Sequence, residues 1–173
     1  ADTAAETDFE DTSYLATPPS TDFTAVAGME ALKDKLQERI IDPLQHSEKY
    51  EKYGIGVEKG ILLFGPPGTG KTHISKALAG ELNINWAKVK GGDIISKWVG
   101  EGTENITELF EEARTHQPCL IFIDEIDALS PERNSSNQTH NQMAMVNTLL
   151  EEISELNDQD DDVIVVGATN RED

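Results

Sequence analysis

A parallel β-sheet covered by helices on both faces is the fold that this sequence predicts, and three observations carry the prediction. Four short apolar runs, 61–64, 86–89, 120–123 and 163–166, are separated by stretches whose apolar residues recur at helical spacing. Three of these runs are apolar throughout, which suits strands buried on both faces. Polar residues of chemical interest follow three of the runs: the loop Gly65-Pro66-Pro67-Gly68-Thr69-Gly70-Lys71-Thr72 and the pair Asp124-Glu125 directly, and Asn170 after Gly167-Ala168-Thr169. In an open α/β sheet, the carboxyl ends of the strands are where ligands bind.

The 173 residues, 37% of them hydrophobic, suit one domain with a substantial core. No apolar run approaches the roughly 20 residues needed to span a bilayer. The amino terminus has neither a basic region nor a signal-like apolar segment, so the cytoplasm is the expected compartment. Fourteen basic against 33 acidic residues give a formal net charge of -19, which argues against sequence-independent attraction to nucleic acid or anionic lipid over most of the surface. Such acidity suits a protein kept soluble in concentrated salt, and equally an ordinary acidic cytosolic protein. The single cysteine, Cys119, cannot form an internal disulfide and directly precedes an apolar run, so a small core residue is expected rather than a nucleophile.

Along the chain, residues 1 to about 20 mix Ala, Thr, Asp, Glu, Ser and Pro without periodicity and read as a disordered acidic arm or linker. The domain is expected over 21–173. From Gly28, the residues Met29, Leu32, Leu36 and Ile40 describe one helix face, with a stop or kink near Ile41 forced by Pro43. A short helix follows from Ser47 to Tyr53, capped by Gly54. Behind the glycine-rich loop, Ile74, Ala77, Leu78 and Leu82 mark a helix that opens at Gly70. After the run 86–89, Gly91-Gly92 turns the chain into a short helix started by Asp93 and ending at Trp98-Val99-Gly100. Thr103 caps a longer helix with the face Ile106, Leu109, Phe110 and Ala113, closed by Pro118. A polar, flexible segment from Ser130 to about Gln138 leads into a helix bearing Met143, Val146, Leu149, Leu150, Ile153 and Leu156. The acidic loop 157–162 beyond it reads as solvated.

The loop 65–72 fits the phosphate-binding pattern G-x-x-x-x-G-K-[ST] at every fixed position, between a strand and a helix as that pattern requires. Glycines let main-chain N–H groups turn inward, and the helix behind adds the positive end of its dipole, so the concavity suits a triphosphate. Lys71 is placed to reach the β- and γ-phosphates, and the Thr72 hydroxyl to ligate Mg²⁺. Asp124 follows as a second acidic partner for that ion, and Glu125 as the base for an attacking water. Taken alone, the pair also suits a helix amino terminus, where Asp and Glu are favoured. Asn170 taken alone is a common turn residue.

These residues resemble the ATPase domain of the AAA family, in the branch that contains valosin-containing protein, katanin, spastin and the proteasomal ATPases. The resemblance runs from about residue 21 to the end. It rests on Gly65 through Thr72 for Walker A, Leu120 through Asp127 (LIFIDEID) for Walker B, and Gly167-Ala168-Thr169-Asn170 for sensor 1. It implies the large subdomain of that fold, an α/β P-loop NTPase sheet in the order 5-1-4-3-2. Strand five, the helical lid with sensor 2 and the arginine fingers lie in the family beyond the sensor 1 asparagine. We therefore expect a segment of a longer protein, in which the first strand stands as an exposed edge. The resemblance further implies ATP and Mg²⁺ as cofactors. Catalysis would fall to Glu125, Lys71 and Asn170, the metal to Thr72 and Asp124, and ATP binding to Val26, Ala27, Gly65, Pro66, Pro67, Gly68, Thr69, Gly70, Lys71, Thr72 and His73. Val26-Ala27-Gly28 resembles the segment that wraps the adenine, although Ala25 and Ala27 depart from its usual residues. Lys97-Trp98-Val99-Gly100 resembles the aromatic pore loop that grips polypeptide in a hexamer's central channel.

Two functions are then in view. The first is an ATP-driven homo-hexameric motor that remodels or unfolds a protein substrate drawn past Trp98. The second is a nucleotide-gated assembly or nucleic-acid-handling switch that threads no polypeptide and would favour basic channel loops, for which only Lys97 and Arg133 are at hand. Trp98 also has a bland reading, since Ile94 four residues earlier puts both on one helix face, as in a core.

Overall fold

The computed structural model describes residues 15–54, 58–66, 68, 70–96, 102–129, 136–159 and 161–170. Its five-stranded sheet has the order β1-β3-β4-β5-β2, from β1 (Leu15–Ala16), β2 (Gly60–Phe64), β3 (Asn85–Lys90), β4 (Cys119–Asp124) and β5 (Val163–Thr169). The strands β3, β4, β5 and β2 run parallel, and β1 pairs antiparallel with β3 through Leu15 to Ala87 and Ala16 to Trp86. The four parallel strands are the four apolar runs, in the predicted neighbour relation. The first of them, β2, stands at the edge. There Leu62 is 57% and Phe64 64% exposed.

Both faces of the central strands are buried, which is why their sequences are apolar at every position. Along β4 and β5, alternate residues enter opposite cores. Cys119, Ile121, Ile123, Val163 and Val165 join one core, with α6 (Gly102–Thr115) and α7 (Ser136–Asp158). Leu120, Phe122, Ile164, Val166 and Ala168 join the other, with α1 (Glu30–Leu36) and α4 (Lys71–Leu82). In that second core Trp86 stacks on Phe122, with ring centroids 6.2 Å apart and an interplanar angle of 25°. Burial pushes the Cys119 thiol up to about 12, so it is an inert core residue, as expected.

Several local expectations change on contact with tertiary structure. Leu15–Ala16, which fell within the predicted arm, is a strand, because the edge of β3 offers it backbone partners. Of the stop or kink expected near Ile41, the chain shows no stop but a change of helix type that ends at Ile41. A π-type turn over Gln37–Ile41, in which the Asp42 N–H bonds back to Gln37 O, precedes α2 (Asp42–Gln45) and makes room for the proline ring. Helix α3 (Ser47–Lys52) follows as predicted. Helix α5 (Gly91–Ser96) begins at Gly91 itself and not at Asp93. Helix α6 begins at Gly102, so Thr103 sits in its first turn and does not precede it. Helix α7 starts at Ser136, inside the segment read as polar and flexible, and of its predicted apolar face Met143 and Leu150 point outward.

The acidic loop is not simply solvated. Glu152, buried on α7, receives Arg114 Nη2 at 2.5 Å, while Arg114 Nε lies 3.3 Å from Asp161 Oδ2. Gln117 Nε2 donates to Asp161 Oδ1 at 3.1 Å, and its Oε1 accepts the Asp162 N–H at 2.8 Å. The cluster joins α6, α7 and the entry to β5 at the amino ends of the strands. Among the described residues no helix is long and apolar enough to cross a membrane.

Removing Arg114 leaves Glu152 and Asp161 as inward-facing charges without their partner, a change that costs about 2–4 kcal/mol at partly buried sites. Arg114→Ala should therefore lower the midpoint of chemical denaturation by a matching amount. Nucleotide affinity of the folded fraction should not change, because this cluster and the glycine-rich loop lie at opposite ends of the sheet.

Candidate functional site

Strand register places the functional residues. In the pairing of β2 with β5, Phe64 lies opposite Thr169, and the Gly65 N–H donates to Thr169 O at 3.2 Å. In the pairing of β4 with β5, Ile123 lies opposite Gly167, so Asp124 ends its strand beside the last residues of β5. Gly65, Asn170 and Asp124-Glu125 thus leave three adjacent strands at one edge. The outer two of these strands are two spacings apart, about 10 Å.

Beyond Gly65 the chain turns through Gly68, with φ 80°, and Gly70, with φ 86°, a region that a side chain disfavours. Helix α4 begins at Lys71. The Lys71 ammonium folds back over the loop and donates to Gly65 O at 2.6 Å, Pro66 O at 3.0 Å and Asn170 Oδ1 at 2.9 Å. It links the loop by a side chain to Asn170, which follows the neighbouring strand β5. Thr72 is half-buried in the first turn of α4. Pro67, Thr69 and the whole of Lys97-Trp98-Val99-Gly100 lie outside the described residues.

At the end of β4, Asp124 is half-buried and Glu125 exposed. Glu125 takes φ 52°, the left-handed region, which costs a residue with a side chain about 1–2 kcal/mol. That turn swings the chain off the strand into a 3-10 helix over Ile126–Leu129, and it is held by Asp124 Oδ1, which accepts the Glu125 N–H at 2.9 Å. Gly91 lies so close beneath that a Cβ there would stand 2.5 Å from Glu125 O. Gly167 does the same for Ile126, with 2.7 Å to its Cδ1. Thr169 Oγ1 donates to Asp127 Oδ1 at 2.9 Å, so the strand that leads to Asn170 is bonded to the turn that carries Glu125. Sequence reasoning had Asp127 in the Walker B match and Gly167 and Thr169 in the sensor 1 match without foreseeing these contacts, and it took Gly91 only as part of a turn. The one signal available for Gly91 was a glycine placed directly after a strand.

Of the residues assigned to the adenine segment, Val26 is buried in the core that also holds α4, and its carbonyl accepts Lys33 Nζ. Ala27 is exposed. His73, also exposed, sets its Nε2 3.2 Å from Ala25 O.

A glycine-rich loop between the edge strand and its helix, at the same edge as carboxylates that end a parallel strand two places away, defines a P-loop nucleotide-binding domain. The family model for "ATPase family associated with various cellular activities (AAA)" matches residues 61–173, and the chain belongs to that family. It is 43% identical over 159 residues to the Cell division cycle protein 48 homolog of Archaeoglobus fulgidus, covering 92% of this chain and 22% of that protein. It is 40% identical over 155 residues to a Putative cell division cycle ATPase of Plasmodium falciparum, covering 90% of this chain and 12% of that one. Among solved structures, the crystal structure of the FIGL-1 AAA domain in complex with ADP superposes with a TM-score of 0.77 at 32% identity, over 93% of this chain and 52% of that one. The chain thus spans between 12% and 22% of the length of these two curated relatives.

The Gly91 contact yields a prediction about the turn alone. Gly91→Ala pushes Glu125 off its position without touching residues 65–72, and a displacement of about 1 Å at a reacting group costs on the order of 10² in rate. ATP turnover should fall by about that factor while ATP affinity holds, as read by steady-state kinetics against equilibrium titration.

Proposed function

We propose that this chain binds and hydrolyses Mg·ATP as part of a homo-hexameric ring that remodels or unfolds protein substrates. The observation that carries the reading is the Lys71 ammonium, bonded at once to Gly65 O and to Asn170 Oδ1. In this reading Lys71 exchanges those partners for the β- and γ-phosphate oxygens of ATP. The N–H groups of the loop and of the first turn of α4 hold the remaining phosphate charge.

Magnesium fits the donors present. The Thr72 hydroxyl and the Asp124 carboxylate are hard oxygen ligands, the type that Mg²⁺ takes in small number when phosphates and water complete its shell. Among the described residues no group of three or more His, Cys, Asp or Glu side chains could hold a metal by itself, in keeping with an ion shared with phosphate. When bound, the ion neutralises the charge between the β- and γ-phosphates. Glu125, turned off the strand and exposed, accepts the proton of the attacking water. Asn170 presents its amide to the same region once Lys71 has changed partners.

Protein remodelling is supported by kinship with cell division cycle ATPases. In this reading Lys97-Trp98-Val99-Gly100, which come next in sequence after the last residue of α5, Ser96, are the pore loop. The net charge of -19 supports a nucleic-acid-handling switch less well.

In the full-length protein, Glu125→Gln keeps shape and hydrogen bonding but removes the base, so ATP should still bind while hydrolysis falls by roughly 10² to 10⁴. Lys71→Ala should lose binding itself. Parent-rate hydrolysis by Glu125→Gln at saturating nucleotide would remove Glu125 as the base.

Trp98→Ala separates a gripping residue from a core one. As a gripping residue it should leave folding and basal hydrolysis intact and abolish substrate-stimulated unfolding of a test protein. A core residue would instead cost roughly 3–5 kcal/mol of stability, with unfolding activity falling only in proportion to the folded fraction.

A further inference from the structure

The backbone that leads into Val26 and Ala27 lies along the outside of α4, and contacts at both ends of that helix hold it there. Near the carboxyl end of α4, Gly80 and the backbone meet so closely that a Cβ at Gly80 would fall 1.7 Å from Thr21 O and 2.9 Å from Pro19 O. Beside it, Glu81 Oε2 accepts the Phe23 N–H at 3.2 Å. Near the amino end, two residues past Lys71, His73 Nε2 lies 3.2 Å from Ala25 O. A carbonyl oxygen can only accept, so Nε2 is the donor in this contact.

Residues 73, 77, 80 and 81 share one face of α4. Ala77 is fully buried on that face and Gly80 has no side chain, so the backbone can lie directly on it. Between the anchors the segment is bonded within itself. Asp22 caps the 3-10 turn Phe23–Ala25 by accepting the Thr24 N–H at 2.9 Å, and the Val26 N–H closes it on Phe23 O at 3.2 Å.

We propose that His73 is a positioning residue: by donating to Ala25 O it clamps the strap 19–26 to the first turn of α4, so that the base-binding segment Val26-Ala27 and the phosphate-holding Lys71-Thr72 keep a fixed separation. The proposal rests on the nucleotide reading given above and deepens it, since it names the group that couples the base end of the site to the phosphate end. A strap released at His73 loses the nucleoside end alone. Inorganic tripolyphosphate has no base, so its binding with magnesium draws only on the loop and α4.

The test titrates Mg·ATP and magnesium tripolyphosphate against the full-length protein and its His73→Ala, His73→Gln and Gly80→Ala variants. Loss of one hydrogen bond that orders a binding segment is worth about a tenfold change in affinity. His73→Ala should bind ATP about that much more weakly and tripolyphosphate as the parent does. His73→Gln, whose amide N–H can reach the same carbonyl, should restore ATP affinity. Gly80→Ala, which lifts the other end of the strap with His73 intact, should reproduce the ATP-specific loss. Unchanged ATP affinity in His73→Ala, parallel losses for both ligands, or no rescue by glutamine would each overturn the clamp. A parent protein that bound tripolyphosphate but not ATP would overturn the nucleotide reading instead, so the two failures are distinct.

Discussion

The parallel pairing of β2 with β5 is the constraint on which the rest of the molecule depends. It brings Phe64 opposite Thr169 and closes on the bond from Gly65 N–H to Thr169 O, so the two strands end at the same level. Because they do, a lysine on the first turn of α4 can touch Gly65 O, Pro66 O and Asn170 Oδ1 together. The same register sets the core. A slip of one residue would turn Ile61 and Leu63 away from α1 and α4, and would shift Asn170 by about 3.3 Å along its strand. Correct packing and a correct site are therefore one requirement, enforced by apolar side chains that take no part in chemistry.

How much of this could be read in the chain follows from how local each feature is. The central strands β4 and β5 were legible because burial on both faces removes polar residues from them, and the phosphate loop because each of its fixed positions answers to a backbone or phosphate contact within eight residues. The left-handed turn at Glu125 was not legible. Nothing near it in sequence announces the turn, and the space it needs is supplied by Gly91 on a different element. Helical spacing located the apolar residues of α7 but not what would face them, so Met143 and Leu150 were assigned inward, whereas Glu152 is the residue buried against Arg114. Two residues of strand at Leu15–Ala16 carry no period at all.

Stability and chemistry are placed at opposite ends of the sheet. At the amino ends of β4 and β5, Arg114 collects Glu152, Glu155 and Asp161, and packs 6.0 Å above the Phe110 ring. At the carboxyl ends, Glu125 holds an unfavourable backbone conformation, and Asn170 Oδ1 accepts from the Lys71 ammonium. Strain of that kind persists only where the surrounding structure fixes it. The Arg114 cluster joins the helices and the strand entry behind the site, which leaves the working edge to be shaped by function.

The two borders of the sheet are not equivalent, and this gives the molecule a direction. On one side β1 runs antiparallel across part of β3, whose Lys88 and Lys90 are exposed, a combination that discourages a further strand. On the other side β2 presents an unpaired backbone among the described residues, with Leu62 and Phe64 uncovered. Among the described residues β2 is the longer and more apolar of the two borders open to an added strand. Were two copies of this domain to associate through β2, the contact would be the same surface on both and would close as a two-fold pair.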